Sequence, residues 1–281
     1  MLLPSSVRRA SAKLGRATGT SGHNSPEDVG ILPESCPAYW EVYSNLVNVS
    51  AAGAELLCSR RAQQGESSLW HESRRMRLTS SMVRRVPVRP STDHTKSVMD
   101  ILHPSFRGNR ATERGRRNEP RTRREFARKH QCAVRQTGLV ICPALPWLVA
   151  SPDGVIDNED ALVEIKCPDV DDCSTLLGTR AYDMQKNDEE TYTLLENGRN
   201  KYYHQVQFAM HCTGKSTCYL YVWSDKDDMT AVVPYNRDFV NSHLSRLRGF
   251  YFKSLLPALV NDLHSGKVNI SDQYRCFVKV S

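Results

Sequence analysis

The sequence predicts an α/β domain in which helices flank a mixed central sheet. Residues Ala161–Lys166 alternate like a strand, and two further alternating runs, 216–224 and 229–235, are joined by an Asp-Lys-Asp-Asp turn. Apolar residues at helical spacing precede and follow these runs, in residues 36–61 and from residue 239 to about 260. Helices on both sides of several strands within one chain are typical of this fold class.

Two more helices and a loop are predicted between these elements. Residues 112–130 have a helical pattern with a proline in its first half, and residues 201–212 return to a helix. Residues 84–109 contain three prolines, so we expect a loop with a short helical turn near residues 97–102.

The segments before and after Ala161–Lys166 give weaker signals. Runs 137–141 and 147–150 are β-like and separated by a proline-rich stretch, which predicts a hairpin. Together with Ala161–Lys166, this hairpin is expected to form a three-stranded start to the sheet. Residues 169–197 are polar, acidic and weakly periodic, and they are predicted to form a mobile excursion over the site.

Composition indicates one soluble domain with additional terminal segments. The 281 residues are 40% hydrophobic and 25% charged, enough for a sizeable core, and no apolar run approaches the length of a membrane span. We expect a disordered or targeting-like segment over residues 1–35, the domain over 36–262, and a C-terminal tail of undefined role over 263–281.

Cysteine usage predicts an intracellular protein. The nine cysteines are an odd number without a C-x-x-C pair, which favours reduced thiols, and adjacent His211 and Cys212 indicate zinc only weakly. The first 26 residues contain no acid and several arginines, as in a mitochondrial transit peptide, although a linker is equally compatible. The choice between nucleus and mitochondrion stays open.

Positive charge is concentrated in one part of the chain. The formal net charge is +7, but residues 71–130 hold 17 Lys and Arg against 6 Asp and Glu. A basic segment of this kind suits a polyanionic substrate such as DNA. A solvated basic face or a nuclear-localisation sequence is the alternative.

The stretch SPDGVIDNEDALVEIKCP, residues 151–168, contains the main candidate site. Asp153 lies on a Pro-Asp-Gly turn, and Glu164 and Lys166 share one face of the strand because strand side chains alternate. Buried charges need partners or a metal, and two carboxylates suit a hard divalent cation such as Mg²⁺. The alternative is an ordinary ion pair between Glu164 and Lys166.

A second stretch, residues 63–82, predicts an anion site. Ser80 or Ser81 is expected to cap the next helix, with Arg74 and Arg77 flanking its start. Free N–H groups, a hydroxyl and an arginine at a helix N-terminus bind anions readily. The alternative is a plain N-cap with solvated arginines.

Four separated motifs resemble the YqaJ-type viral recombinase (phage lambda exonuclease) family of the PD-(D/E)XK nuclease superfamily, over roughly residues 63–260. They are the tryptophan-arginine segment of residues 63–82, the Gly-x-x-x-Glu-Pro helix, the text SPDGVI…LVEIKCP, and Tyr-Tyr-x-Gln-Val-Gln at residues 202–207. The resemblance implies a restriction-endonuclease-like mixed sheet and a Mg²⁺- or Mn²⁺-dependent deoxyribonuclease.

The resemblance also implies roles for individual residues. Asp153 and Glu164 would bind the metal, with the backbone carbonyl of Ile165 as a further ligand and Glu119 assisting through a water. Lys166 would position the attacking water.

Three further roles come from the same resemblance. Residues two apart on a helix point in different directions, so only one of Gln205 and Gln207 can easily face the metal cluster, and the resemblance assigns that role to Gln205, the family's more characteristic position. Arg74 and Ser81 fall on positions that grip the 5′-phosphate of a DNA end.

The implied activity is a 5′→3′ exonuclease on double-stranded DNA ends in recombination or repair, with a homo-oligomer and a strand-annealing partner as further expectations. The alternative is a catalytically silent nucleic-acid-binding accessory domain of the same fold. An iron–sulfur nuclease is disfavoured, because Cys276 alone lies beyond Cys218. Endonuclease action stays open.

Overall fold

A computed structural model of the chain describes residues 36–59, 68–89, 91–104, 108–179, 181–187 and 191–279. The predicted disordered or targeting-like segment, residues 1–35, lies outside the described residues. In the part of the chain that is described, no helix has the length and apolar character needed to cross a membrane.

A small sheet precedes the main one. It has the strand order β1-β3-β2, with β1 parallel and β2 antiparallel to β3. The strands are β1 (Leu78–Thr79), β2 (Val140–Ile141) and β3 (Leu148–Ala150). Pairing of β2 with β3 confirms the predicted hairpin.

The main sheet is mixed and has the strand order β4-β5-β8-β9-β7-β6. The pairs β5–β8 and β7–β9 are parallel, and the other neighbouring pairs are antiparallel. The strands are β4 (Gly154–Ile156), β5 (Ala161–Lys166), β6 (Met184–Lys186), β7 (Tyr192–Leu194), β8 (Thr217–Trp223) and β9 (Asp228–Pro234).

The described residues also form α-helices before, between and after the strands. They are α1 (Pro37–Val42), α2 (Ala51–Ser59), α3 (Ser68–Arg75), α4 (Thr95–Leu102), α5 (Arg110–His130), α6 (Tyr202–Thr213), α7 (Arg237–Phe250), α8 (Leu256–His264) and α9 (Asp272–Val278). Single π-helical stretches, Tyr43–Val47 and Tyr251–Leu255, extend α1 and join α7 to α8. Short 3₁₀ segments occupy Val83–Arg85, Asp157–Glu159 and Cys173–Leu176.

Strand β5 has β4 and β8 at its edges, and a separate cluster of apolar side chains buries each of its two faces. Leu162 joins the larger core cluster, whereas Val163 and Ile165 join a second cluster on the opposite face together with Phe126 of α5. This alternation is the strand geometry expected from the sequence. The predicted fold class, a mixed sheet flanked by helices, is confirmed.

Two predicted details of the sheet are wrong. The β2–β3 hairpin pairs with β1 and not with β5, because the chain turns at Ser151–Pro152 and begins a second sheet. Residues 169–197 contain β6 and β7, which extend the main sheet at its β9 edge. Strands of three residues carry too little alternation to be recognised in a polar segment.

The C-terminal residues, whose role the sequence left undefined, pack onto the beginning of the domain. Glu72 of α3 accepts hydrogen bonds from the backbone N–H and hydroxyl of Ser271 at 2.6 and 2.7 Å. The buried Tyr274 hydroxyl donates to the carbonyl of Leu46 at 2.7 Å. Helix α9 is therefore part of the packed core around α1 and α3.

Candidate active site

Asp153 lies where the chain leaves the small sheet and enters the main one, between β3 and β4. Strand β4 pairs with β5 only as far as Val163, so β4 makes no hydrogen bonds to the backbone N–H and C=O groups of β5 after that residue. There the Ile165 N–H donates to Oδ2 of Asp153 at 2.7 Å. The N–H and C=O of one strand residue point to the same edge, so the Ile165 carbonyl faces the edge occupied by Asp153.

Glu164 and Lys166 project together from the next positions of β5. Lys166 Nζ donates to Oε1 of Glu164 at 2.7 Å, and Nε2 of Gln205 on α6 donates to the same oxygen at 2.5 Å. Glu164 is only 5% exposed, so these two donors are its compensation for lost water. The ammonium of Lys166 also lies 5.2 Å from the ring centroid of Tyr202.

Glu119 reaches the same region from α5. It accepts a hydrogen bond from Arg123, one helical turn later, and Arg123 also donates through Nε to the carbonyl of Asp153 at 2.7 Å. Arg123 thus connects the Glu119 carboxylate to the turn that carries Asp153. The structure brings together the five predicted side chains of the catalytic set: Asp153, Glu164, Lys166, Gln205 and Glu119.

The acids of this cluster are largely desolvated and repel one another. Burial raises the pKa of Asp153 well above its usual value, and repulsion from Glu164 and Glu119 raises it further. Burial also raises the pKa of Glu119, against the opposing effect of Arg123. Burial by itself lowers the pKa of Lys166, but attraction to Glu164 and Asp153 raises it overall, so the side chain stays protonated.

The donor set fits a hard divalent cation. Among the described residues, hydrogen bonds engage one oxygen of Asp153 and one of Glu164, so each carboxylate retains a second oxygen. Carboxylate and carbonyl oxygens are the ligands preferred by Mg²⁺, and a cation would offset the repulsion that raises the pKa of Asp153. In the described ranges, no group of three or more His, Cys, Asp or Glu side chains is arranged to hold a metal ion, so backbone carbonyl or water oxygens would have to complete the set of ligands.

Arg74 is close enough to Glu164 for their charges to attract, whereas Ser81 lies outside the hydrogen-bond network of the carboxylates. The Arg74 guanidinium stacks 4.4 Å from the ring centroid of Trp70. Burial lowers the pKa of Arg74 to about 10, and attraction to Glu164 partly opposes this, so the group is cationic at neutral pH. The Ser81 hydroxyl hydrogen-bonds that of Thr79 at 3.0 Å, and within the described residues no hydrogen bond joins Ser81 to Arg74.

The predicted helix-terminal anion site is wrong in two respects. The segment after Ser81 is the short 3₁₀ turn Val83–Arg85, whose N-cap position is Met82 and makes no side-chain capping bond. Arg77 is fully buried and donates to three backbone carbonyls and the Tyr274 hydroxyl; the carbonyls belong to Val47, Ser73 and Pro146. Arg77 is a structural residue, since its donors are already used inside the core.

Asp183 supports the site without having been predicted. It is 1% exposed, and its carboxylate accepts from the backbone N–H groups of Asn200 at 3.0 Å and Tyr202 at 3.3 Å. It therefore anchors the first turn of α6, one turn before Gln205. A Cβ at Gly198 would lie 2.2 Å from Cγ of Asp183, so this close approach requires glycine.

The sequence analysis did not predict a role for Arg123, although its position four residues after Glu119 on a predicted helix indicates that the two side chains can meet. The sequence gives no such signal for Asp183, because its hydrogen-bond partners lie 17 and 19 residues later in the chain. The proximity of Tyr202 to Lys166 likewise depends on packing of α6 against β5.

The part of the chain that contains these acids and Lys166 also matches a known protein family. Residues 69–216 match the family model for the YqaJ-like viral recombinase domain, which is more than half of the chain. The chain belongs to this family, as its motifs predicted.

Among solved structures, the chain is similar to an alkaline exonuclease, LHK-Exo from Laribacter hongkongensis, with a TM-score of 0.53 and 20% identity, covering 72% of this chain and 98% of that one. LHK-Exo in complex with dAMP gives a TM-score of 0.54 and 19% identity, covering 72% of this chain and 100% of that one. At this identity the likeness establishes the fold. No curated protein matches the chain.

The raised pKa of Asp153 predicts a stability effect with a definite sign. Between the unfolded pKa of about 3.9 and the higher native value, the native state keeps a proton that the unfolded chain has lost. The contribution of Asp153 to stability therefore falls as pH rises through this window. Without divalent metal, Asp153→Asn should melt at a higher temperature than wild type at neutral pH, and the difference should shrink towards pH of about 4.

Thermal unfolding followed by circular dichroism across a pH series measures this difference. Asp157→Asn is the matched control, because a hydrogen bond from Arg135 lowers the pKa of Asp157, so this substitution should give no stabilisation. An Asp153→Asn protein that melts at or below the wild-type temperature at neutral pH contradicts the electrostatic account of the cluster.

Proposed function

We propose that this protein is a Mg²⁺- or Mn²⁺-dependent deoxyribonuclease that acts as a 5′→3′ exonuclease on duplex ends. The observation that carries the proposal is the meeting of Asp153, Glu164 and Lys166 at one end of β5, where burial and repulsion between the acids raise the pKa of Asp153. Membership of the YqaJ-like viral recombinase family supports a role in DNA recombination.

Asp153 and Glu164 would hold the metal, together with the carbonyl of Ile165 and with Glu119 through a water. When bound, the cation would lower the pKa of a water and neutralise the phosphate under attack. The oxygen atoms required are those that the hydrogen bonds of the cluster leave available.

Lys166 acts as a cation in this proposal and not as a base. In the metal-free protein its pKa is raised by Glu164 and Asp153, so at neutral pH the side chain is an ammonium that donates hydrogen bonds. It would orient the attacking water and stabilise negative charge that develops on the phosphate. Gln205 donates to the same Glu164 oxygen as Lys166, so it would hold the carboxylate in the orientation that lets Lys166 contact it.

Arg74 would bind the terminal 5′-phosphate, with Ser81 assisting. Arg74 is attracted by the charge of Glu164, retains its positive charge and is held against the Trp70 ring, so it is already oriented for an anion at the edge of the cluster. LHK-Exo, which shares the fold, is described as an alkaline exonuclease and has been crystallised with the mononucleotide dAMP. Release of mononucleotides from an end is the exonuclease activity proposed for this chain.

Lys166→Ala should lower the rate of DNA cleavage about a hundred- to a thousand-fold, because charge stabilisation at the phosphate is lost. The measurement is release of labelled nucleotide from linear duplex DNA with Mg²⁺ and with EDTA. Wild-type cleavage should stop in EDTA, and Lys253→Ala, at an exposed lysine on another face, should leave it unchanged. Binding of DNA without cleavage by wild type in Mg²⁺ would instead favour a silent accessory domain.

Arg74→Ala should abolish the preference for a 5′-phosphorylated end over a 5′-hydroxyl end. Competition between the two duplexes in one reaction measures this preference directly, and Arg75→Ala, the adjacent half-buried arginine, is the matched control. A wild-type protein that digests both ends equally would refute the end-binding role of Arg74, and cleavage of circular DNA would indicate endonuclease action.

A further inference from the structure

Helix α5 carries an unusual concentration of positive charge. Its sequence, RATERGRRNEPRTRREFARKH, contains eight arginines and one lysine against three glutamates. Like charges one helical turn apart destabilise a helix, so these side chains need partners in the fold or a ligand outside it.

One flank of α5 is neutralised within the protein. Four basic side chains pair with acids of the β8–β9 turn, β9 and the segment after β5: Arg110 with Asp169, Arg114 and Arg121 with Asp225, and Lys129 with Asp228. Arg121 also lies 4.9 Å from the ring centroid of Trp223. These contacts attach the helix to the main sheet, so the residues of this flank have a structural role.

Three other arginines of α5 have no such partners. Arg116, Arg117 and Arg124 are exposed, and within the described ranges none of them forms an ion pair or a hydrogen bond through its side chain. We call these three residues the arginine stripe. Arg117 and Arg124 lie seven residues apart, so they share a face and are separated by about 10.5 Å along the helix axis.

Arg116 is the stripe residue nearest the candidate active site. It precedes Glu119 by three residues, which places both on neighbouring positions of the helix surface. Arg117 and Arg124 each follow one residue after Arg116 and Arg123, so they form the next row of side chains, about 100° further round the helix from the row that contacts Glu119 and the carbonyl of Asp153. The stripe spacing of about 10.5 Å corresponds to about three phosphates of one DNA strand, measured along the duplex axis.

We propose that the arginine stripe binds phosphates of one strand of the DNA duplex next to the scissile end. This inference rests on the proposed nuclease function and adds a binding surface to it. Phosphate contacts of this type are independent of base sequence and depend strongly on salt. Glu113, an exposed acid four residues before Arg117, would oppose the same contact.

The test is DNA affinity measured by fluorescence anisotropy, using the full chain and a labelled duplex in EDTA. The triple variant Arg116→Gln, Arg117→Gln, Arg124→Gln should bind more weakly at about 50 mM salt, and its salt dependence should be shallower by up to about 2.7 in the logarithmic slope, about 0.9 per contact. Glu113→Gln should bind more tightly than wild type.

A matched triple variant, Lys253→Gln, Arg275→Gln, Lys279→Gln, removes the same charge from exposed positions on other elements and should retain the wild-type slope. Equal slopes for the stripe variant and wild type, in a protein that cleaves DNA, would overturn the inference and leave the proposed function intact. A wild-type protein that neither binds nor cleaves DNA would overturn both. If the stripe variant does not fold, the Glu113→Gln variant provides the test. A DNA affinity equal to that of wild type would then contradict DNA binding by the arginine stripe.

Discussion

The contact between Asp153 and the backbone N–H of Ile165 is the interaction on which the site depends. It joins the turn between the two sheets to the end of β5, and it therefore places one carboxylate beside the Glu164–Lys166 pair. The contact is available because β4 stops pairing with β5 at Val163. A longer β4 would occupy the Ile165 N–H and displace Asp153, so the shortness of this strand is a requirement of the site.

The cost of this arrangement is visible in the surrounding structure. Three acids approach one another in a largely buried region, and the protein offsets their repulsion with Lys166, Arg123 and the amide of Gln205. The offset is incomplete, since the pKa of Asp153 is still raised by burial and by its neighbours. Sites that concentrate charge in this way are commonly less stable than they could be, because function and stability make opposing demands.

More distant residues hold the cluster in place. The buried Asp183 carboxylate anchors the start of α6, and α6 delivers Gln205 to Glu164. Gln207 points to the opposite side, where it bonds the carbonyl of Pro234 and the N–H of Asn236. The two glutamines of one motif therefore lie on different faces of α6: Gln205 contacts the acid cluster, and Gln207 fixes the helix to the end of β9.

Much of the site was predictable from sequence because it depends on local periodicity. Alternation along β5 places Glu164 beside Lys166, and the separation of Gln205 from Gln207 on a helix predicts that only one faces the cluster. Long-range features were not predictable. Nothing local distinguishes the buried Arg77 from the exposed Arg116, and the packing of α9 against α3 joins residues about 200 positions apart. The short strands β6 and β7 likewise depend on the partner that β9 supplies.

The most direct test of the central claim is calorimetric titration of the metal-free protein with Mn²⁺. If Asp153 and Glu164 form one cation site, wild type should bind Mn²⁺ with release of heat or protons, and Glu164→Gln should lose this binding while Asp157→Asn keeps it. Equal Mn²⁺ binding by wild type and Glu164→Gln, or no binding by wild type, would contradict the account of these carboxylates as a metal site.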